Sequence, residues 1–237
     1  MPQVIAGGDI ALIQDNRSGH LSYWQASDHH TIADRHGVSL APYVHALFGL
    51  MHQKRSRHVL VIGCGGGSLA TMLARAGVKV TLLDLDPQTF AIARSYFHMP
   101  MSVECHTADG ARFLARNSVR YDAIVLDAFA ESQIPSHFLT AKFFRLAKDR
   151  LRRGGIVLVN MVVLSNDDLL FETMARAMAP AWRRRRLLDG KSHNSRNVIA
   201  AAGAVKFLRP PRLIVTPSIR SKRLVKALAG FSFRPLR

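Results

Sequence analysis

A glycine-rich turn in the middle of the 237-residue chain has the composition of a ligand-binding loop. It spans residues 63–67 (Gly-Cys-Gly-Gly-Gly), between the apolar run His58–Ile62 and a helix that we expect to start at Ser68. Glycine allows positive φ angles and a close approach of the backbone to a ligand, and a helix start offers free N–H groups. A tight turn without a ligand is the alternative. No Gly-Lys-Ser/Thr triplet follows, so a P-loop is not indicated.

Asp84 ends the next apolar run and is a candidate ribose ligand. An acid at this distance beyond a glycine turn can accept hydrogen bonds from both ribose hydroxyls of a nucleoside lying across the strand ends. The alternative role is an N-cap of the following helix. Asp86, directly before Pro87, fits that second role better than Asp84 does.

Two further aspartates follow apolar runs in the same way. Asp109, which precedes Gly110, lies where it can accept a hydrogen bond from an adenine amino group, and it can also cap the helix that starts there. Asp127 follows Ile124–Leu126 and faces the reacting end of a ligand. A carboxylate at this place can hold a cationic amine or act as a base toward one.

Apolar and amphipathic segments alternate from residue 58 to residue 161, which predicts an α/β fold with a parallel sheet covered on both faces. The glycine turn and the three aspartates all follow predicted strands, and ligands bind at the carboxyl ends of strands in such sheets. The predicted strands are His58–Ile62, Lys79–Leu83, Ser102–His106, Tyr121–Leu126 and Ile156–Met161, and the predicted helices are Ser68–Ala76, Pro87–Phe97, Gly110–Ala115 and Ser136–Leu151.

Further elements flank this core, so we divide the chain into a β-hairpin region (1–38), a nucleotide-binding domain (39–205) and a basic extension (206–237). Upstream we predict a hairpin of Ile10–Gln14 and His20–Gln25, a polar loop at Asp28–Gly37, and a helix at Ser39–His52 with Ser39 as N-cap. Downstream we predict a helix at Asp167–Met178, strands at Arg184–Leu188 and Asn197–Ala202, and a basic helix at Ser218–Ala229.

In their order, these segments resemble the class I S-adenosylmethionine-binding fold and, more narrowly, the spermidine synthase (polyamine aminopropyltransferase) family. The resemblance covers about residues 8–205. It implies a Rossmann-like doubly wound, mainly parallel sheet of the class I methyltransferase type with a small N-terminal β-hairpin region, and a homodimer. It is carried by Asp84-Leu85-Asp86-Pro87, Asp109-Gly110-Ala111-Arg112-Phe113-Leu114, Tyr121-Asp122-Ala123-Ile124-Val125-Leu126-Asp127-Ala128-Phe129 and Leu151-Arg152-Arg153-Gly154-Gly155.

The resemblance also implies a role for individual residues. The donor would be decarboxylated S-adenosylmethionine or S-adenosylmethionine, and the acceptor a small amine. Asp127 matches the first acid of the family's Asp-x-x-Asp loop, and Tyr43 matches a substrate-contacting tyrosine. The implied ligands of the donor are Gly63, Gly65 and Gly67 for its methionine-like part, Asp84 for ribose, and Asp109 with Gly110 for adenine.

Two departures from the family pattern concern the reaction itself. The family's aspartate within the glycine turn, which holds the donor's terminal amine, is Gly66 in this chain. The family's catalytic base, the second acid of the loop, is Ala130, and Glu131 can replace it only if the loop shifts by one residue. General-base catalysis contributes a factor of about 10²–10⁴ in rate, and this chain lacks the acid at the family's base position. Nucleotide binding is therefore better supported than aminopropyl transfer.

Three functions therefore remain open. The first is a spermidine synthase-like aminopropyltransferase of polyamine metabolism, in which Asp127 and Glu131 are the catalytic candidates. The second is an S-adenosylmethionine-dependent methyltransferase, which Gly66 favours because the acid that distinguishes the decarboxylated donor is missing. The third is a non-catalytic homologue that binds a nucleotide or a nucleic acid.

The charge of the chain is strongly asymmetric. The formal net charge is +17, and residues 181–237 contain 15 Lys/Arg and one acid, which leaves +3 for the first 180 residues. This basic quarter makes nucleic acid or an anionic surface a candidate partner. Against that, we interpret Arg183–Arg186 as part of a solvated strand at a sheet edge, without the interleaved aromatic residues of single-strand binding proteins.

Composition argues against several other classes. Two cysteines, Cys64 and Cys105, are too few for a disulfide framework or a cysteine-based zinc site. His29, His30 and His36 cluster in one segment without a metal-site spacing, so we predict no metal. No signal peptide or apolar run of membrane-spanning length is visible, which favours the cytoplasm.

Overall fold

A computed structural model describes residues 3–4, 10–25, 28–130, 133–190, 192 and 194–237. The strands are β1 (Gln3–Val4), β2 (Ile10–Gln14), β3 (Leu21–Gln25), β4 (Asp28–Ala33), β5 (His58–Ile62), β6 (Lys79–Asp84), β7 (Glu104–Thr107), β8 (Tyr121–Leu126), β9 (Leu151–Val163), β10 (Arg185–Asp189), β11 (Arg196–Gly203) and β12 (Ser232–Pro235). The α-helices are α1 (Pro42–Gln53), α2 (Ser68–Arg75), α3 (Pro87–Tyr96), α4 (Gly110–Arg116), α5 (Ala141–Asp149), α6 (Leu170–Met178) and α7 (Ser221–Ala229).

The main sheet has eight strands in the order β12-β10-β11-β9-β8-β5-β6-β7. The five strands from β9 to β7 are parallel, and β11, β10 and β12 join by antiparallel pairing. Strand β5 pairs with β6 on one side and β8 on the other, so the chain reverses its direction of travel across the sheet there. Open α/β sheets bind ligands at such a switch point, beyond the carboxyl ends of the strands. The predicted doubly wound, mainly parallel sheet is confirmed.

Each face of the sheet carries its own apolar core, because successive side chains of a strand point to opposite faces. On β5, Val59 and Val61 pack with α1 and α2, whereas Leu60 and Ile62 pack with α5 and α6. All five residues of this strand are buried. Burial on both faces explains why the central strands are continuous apolar runs without a polar–apolar alternation.

The N-terminal region is larger than the predicted hairpin. Strands β2 and β3 form that hairpin, and β1 and β4 extend it to four antiparallel strands. The prediction of a polar loop over Asp28–Gly37 is therefore wrong for Asp28–Ala33, whose backbone pairs with β3 despite its polar side chains. Leu12 and Tyr23 pack on Phe97 after α3, so this small sheet is anchored beside the glycine turn.

Four predicted helices start elsewhere. Helices α6 and α7 each begin three residues later than predicted, at Leu170 and Ser221. Helix α1 begins at Pro42 with Ala41 as N-cap, because Ser39 is held in a bridge to Ala33 and its hydroxyl accepts the Ala41 N–H. The predicted helix Ser136–Leu151 is a 3₁₀ turn at Ser136–Phe138 followed by α5, whose N-cap is Thr140.

The basic extension contributes to the main fold. Helix α7 packs against α1, and β12, which the sequence analysis did not predict, pairs with β10. The interpretation of Arg183–Arg186 as a sheet edge is therefore wrong, because β12 covers that edge. In the described residues, no helix is long and apolar enough to cross a membrane.

A buried aspartate links the three antiparallel strands. Asp189 of β10 is 2.7 Å from Arg196 Nε on β11 and 3.0 Å from Arg234 Nη2 on β12. Burial acts to raise the pKa of Asp189, but the hydrogen bonds from both arginines outweigh it and hold that pKa below its ordinary value.

We predict that Asp189→Ala destabilises the fold by about 3 kcal/mol, because it leaves the buried Arg196 guanidinium without its partner. Urea unfolding should show this loss as a lower midpoint. The matched control is Glu172→Ala, which removes an exposed ion pair with Arg176 and should change the free energy of unfolding by less than about 0.5 kcal/mol. Equal urea midpoints for the two variants would contradict the stabilising role of Asp189.

Candidate active site

The glycine turn fits tightly between the ends of two neighbouring strands. The Gly63 N–H donates to the Leu83 carbonyl at 2.8 Å, and φ at Gly63 is +100°. A Cβ at this position would lie 2.1 Å from the Asp127 carbonyl oxygen, so only glycine fits. Gly65 and Gly67 also have positive φ angles, and Gly67 directly precedes α2.

Asp84 fastens the end of β6 to this turn. Its Oδ2 accepts the Cys64 N–H at 2.7 Å, and its Oδ1 accepts the Asp86 N–H at 3.0 Å. Asp86 caps α3 by accepting the Gln88 N–H, as the sequence indicated. Because a carboxylate has about four lone-pair sites, Asp84 keeps acceptor capacity for ribose hydroxyls after both backbone contacts.

Asp109 lies at the neighbouring strand end. It caps α4, since its Oδ1 accepts the Arg112 N–H at 2.9 Å. Its Oδ2 is 2.8 Å from His137 Nε2, a contact that sequence reasoning missed because 28 residues separate the two. Gly110 is needed for packing, since a Cβ there would lie 2.7 Å from Ile62.

Asp127 ends β8 and is held by an amide chain. Asn160 Nδ2 donates to Asp127 Oδ1 at 2.7 Å, and Asn197 Nδ2 donates to Asn160 Oδ1 at 3.1 Å. Neither asparagine is among the site residues predicted from the sequence. A signal existed for Asn160, because it is the polar residue inside the apolar run of β9.

Burial makes Asp127 an unusually weak acid. Desolvation raises the pKa of Asp127 to about 6, and the hydrogen bond from Asn160 limits that rise. Burial and the nearby charge of Asp127 raise the pKa of Tyr43 well above its ordinary value. At neutral pH, therefore, the pair is a carboxylate facing a protonated phenol.

A single cavity of about 480 Å³ brings the predicted site together. Glu131 lies outside the described residues. The cavity lining includes Tyr43, Gly63, Gly65, Gly67, Asp84, Asp109, Gly110 and Asp127, together with Asn160 and Asn197. Within the described part of the chain, no group of three or more His, Cys, Asp or Glu side chains could hold a metal ion.

Neighbouring residues pack closely around Gly66. Its N–H donates to Thr31 Oγ1 on β4 at 2.7 Å. A Cβ on Gly66 would lie 2.8 Å from the Thr31 methyl group and 3.0 Å from the Phe97 ring. Thr31 of the N-terminal sheet and Phe97 thus occupy the space that a side chain at this position would need.

Residues 44–183 match the family model of the spermine/spermidine synthase domain. The chain belongs to this family. It is 33% identical over 127 residues to the polyamine aminopropyltransferase of Vibrio vulnificus (strain CMCP6), covering 50% of this chain and 42% of that protein. It is 29% identical over 171 residues to the polyamine aminopropyltransferase of Neisseria meningitidis serogroup B, covering 69% and 64%. The matched region is thus less than two thirds of each relative's length.

Solved structures share the fold. A probable spermidine synthase from Corynebacterium glutamicum superposes with a TM-score of 0.78 at 14% identity, covering 99% of this chain and 91% of that one. A spermidine synthase in complex with the transition-state analogue AdoDATO superposes with a TM-score of 0.69 at 18% identity, covering 96% and 85%. The resemblance to the spermidine synthase family is confirmed.

We predict that Asn160→Leu raises the pKa of Asp127 above 6, because it removes the donor that stabilises the ionised form and keeps the site buried. The measurement is a ¹³C NMR titration of the Asp127 carboxyl signal. Asn194→Ala, at an exposed position, is the control and should leave the titration unchanged. A lower pKa in Asn160→Leu would contradict the role given to the amide.

Proposed function

We propose that the protein is a spermidine synthase-like aminopropyltransferase of polyamine metabolism, which transfers an aminopropyl group from decarboxylated S-adenosylmethionine to a small amine. The observation that carries the proposal is Asp127. It is a half-buried carboxylate directly after β8, facing Tyr43 across one cavity with the glycine turn. Family membership and the names of the matched relatives support it.

The described residues fit such a donor. We assign Gly63, Gly65 and Gly67 to its aliphatic tail and sulfonium region, because their backbone can approach a ligand closely. Asp84 would accept from the ribose hydroxyls. Asp109, with Gly110 beside it, would accept from the adenine amino group through the same carboxylate that now pairs with His137.

The donor, when bound, supplies an electrophilic carbon next to a positively charged sulfur. An amine attacks that carbon only in its neutral form, because its lone pair makes the new bond. As the C–N bond forms, the C–S bond breaks and methylthioadenosine leaves, Asp127 would accept the proton that the attacking nitrogen releases. Because Asn160 engages Oδ1, Oδ2 can accept the proton. A pKa near 6 makes Asp127 a stronger base than an ordinary aspartate while it stays ionised at neutral pH.

The departures from the family pattern at Gly66 and Ala130 make Asp127 the principal catalytic group in this mechanism. Ala130 supplies no carboxylate, and Gly66 is packed by Thr31 and Phe97. Glu131 remains a second catalytic candidate. The homodimer, the cytoplasmic location and the domain boundaries at 38 and 205 also stay predictions.

A methyltransferase is the second candidate, and the packing at Gly66 is the observation that favours it. An acid at this position would favour binding of the decarboxylated donor, which ends in an ammonium group, over binding of S-adenosylmethionine. Gly66 cannot make that contact. The matched relatives favour aminopropyl transfer.

We predict that the purified protein converts decarboxylated S-adenosylmethionine and putrescine to methylthioadenosine, and that Asp127→Asn lowers kcat by about 10²–10⁴. Asp149→Asn, at an exposed position on α5, is the matched control and should retain activity. Since Asp127 acts in its ionised form, kcat/KM should fall as the pH drops below about 6. No product above the blank would refute the proposal.

We predict a tighter Kd for decarboxylated S-adenosylmethionine than for S-adenosylmethionine in calorimetric titration. The reverse order would favour the methyltransferase. Binding of either nucleoside without turnover would favour the non-catalytic homologue.

A further inference from the structure

Seven of the 15 Lys and Arg side chains in residues 181–237 line one groove. It has a volume of about 1330 Å³ and lies between the start of β10, the segment after β11 and the end of β12. Arg183, Arg184, Lys206 and Arg237 line it, and no acidic residue appears in its described lining. Asp189, the one acid of residues 181–237, is buried and already paired with Arg196 and Arg234. Apart from Arg234, the basic side chains of the groove therefore have no ion-pair partner among the described residues.

Two kinds of arginine are present in the groove. Arg186 is structural, because its guanidinium stacks on the Phe233 ring at 3.7 Å and donates to the carbonyls of Val205 and Leu208. Arg183 and Arg184 are exposed, and neither has an ion-pair partner among the described residues. Their guanidinium groups are thus available to bind an anion.

An exposed aromatic ring contacts Lys206, which lines the groove. Phe207 is 82% exposed, and the Lys206 ammonium is 4.9 Å from the centre of its ring. The contacts from Arg186 to Val205 and Leu208 fasten this segment to β10. Tertiary structure therefore places an exposed aromatic residue near Arg183–Arg186, whose sequence neighbour Trp182 instead packs against the apolar core.

The groove lies at the end of the sheet opposite the cavity. Arg185 pairs with Ala202, and Gly203 pairs with Ile156 near the start of β9, whereas Asn160 lies further along β9 toward the cavity. A ligand in the groove can therefore bind independently of a ligand in the cavity.

We propose that this groove binds single-stranded nucleic acid. Arginines that are not engaged in ion pairs bind phosphates, and an exposed aromatic ring stacks on unpaired bases. A membrane surface fits less well, because this region offers one exposed aromatic side chain rather than an apolar face. This proposal does not depend on the proposed enzymatic function.

The test is fluorescence anisotropy with a labelled single-stranded RNA of about 12 nucleotides, a length within the usual site size. Arg183→Gln with Arg184→Gln should lower the slope of log K against log salt by about 1.4, since each phosphate contact on a single strand contributes about 0.7. Phe207→Ala should weaken binding roughly tenfold with an unchanged slope, because it removes stacking and no charge.

The matched control is Arg112→Gln with Arg116→Gln, which removes the same charge from exposed positions on α4. This helix packs against α5 and against Ile62 of β5, which lies five strands from β12 in the sheet. Five strand spacings of about 4.8 Å exceed the Debye length of about 8 Å, so binding should be unchanged.

Three results would overturn the proposal. One is the absence of RNA binding by the unmodified protein. Another is an equal loss of binding in the control, which would indicate diffuse charge attraction. The third is sedimentation with phosphatidylglycerol vesicles in place of RNA binding, which would assign the groove to lipid.

Discussion

The site depends on the close packing of Gly63, directly after β5, against the ends of the two neighbouring strands. Gly63 bonds to the end of β6 through the Leu83 carbonyl, and its α-carbon lies against the Asp127 carbonyl at the end of β8. Any side chain at this position would push these strand ends apart. The glycine turn, Asp84 and Asp127 therefore owe their spacing to one backbone contact.

Asp127 shows how burial prepares a group for chemistry. A carboxylate beside Tyr43 loses hydration, which raises the pKa of Asp127, and the Asn160 amide returns part of that stabilisation. Asn197 holds Asn160 in turn. Three strands, β8, β9 and β11, thus cooperate to set the protonation of one group at neutral pH.

The arginines of the last quarter of the chain have two structural roles. Arg196 and Arg234 neutralise Asp189 and hold β10, β11 and β12 together. Arg183 and Arg184 instead remain exposed at the groove. A net charge of +17 is therefore an incomplete description, because the partners of each arginine decide its role.

The sequence by itself determined the order of the core strands and helices, the glycine turn, and the capping by Asp86 and Asp109. These features depend on apolar runs and on hydrogen bonds between residues a few positions apart. Only the tertiary structure decided the contacts of Gly66 with Thr31, of Asp127 with Asn160, and of Asp109 with His137. It also placed β12 beside β10 and Phe207 beside the arginine groove. The physical reason is that these pairs lie far apart in the chain, so their energies depend on the packing of the whole sheet rather than on any local pattern.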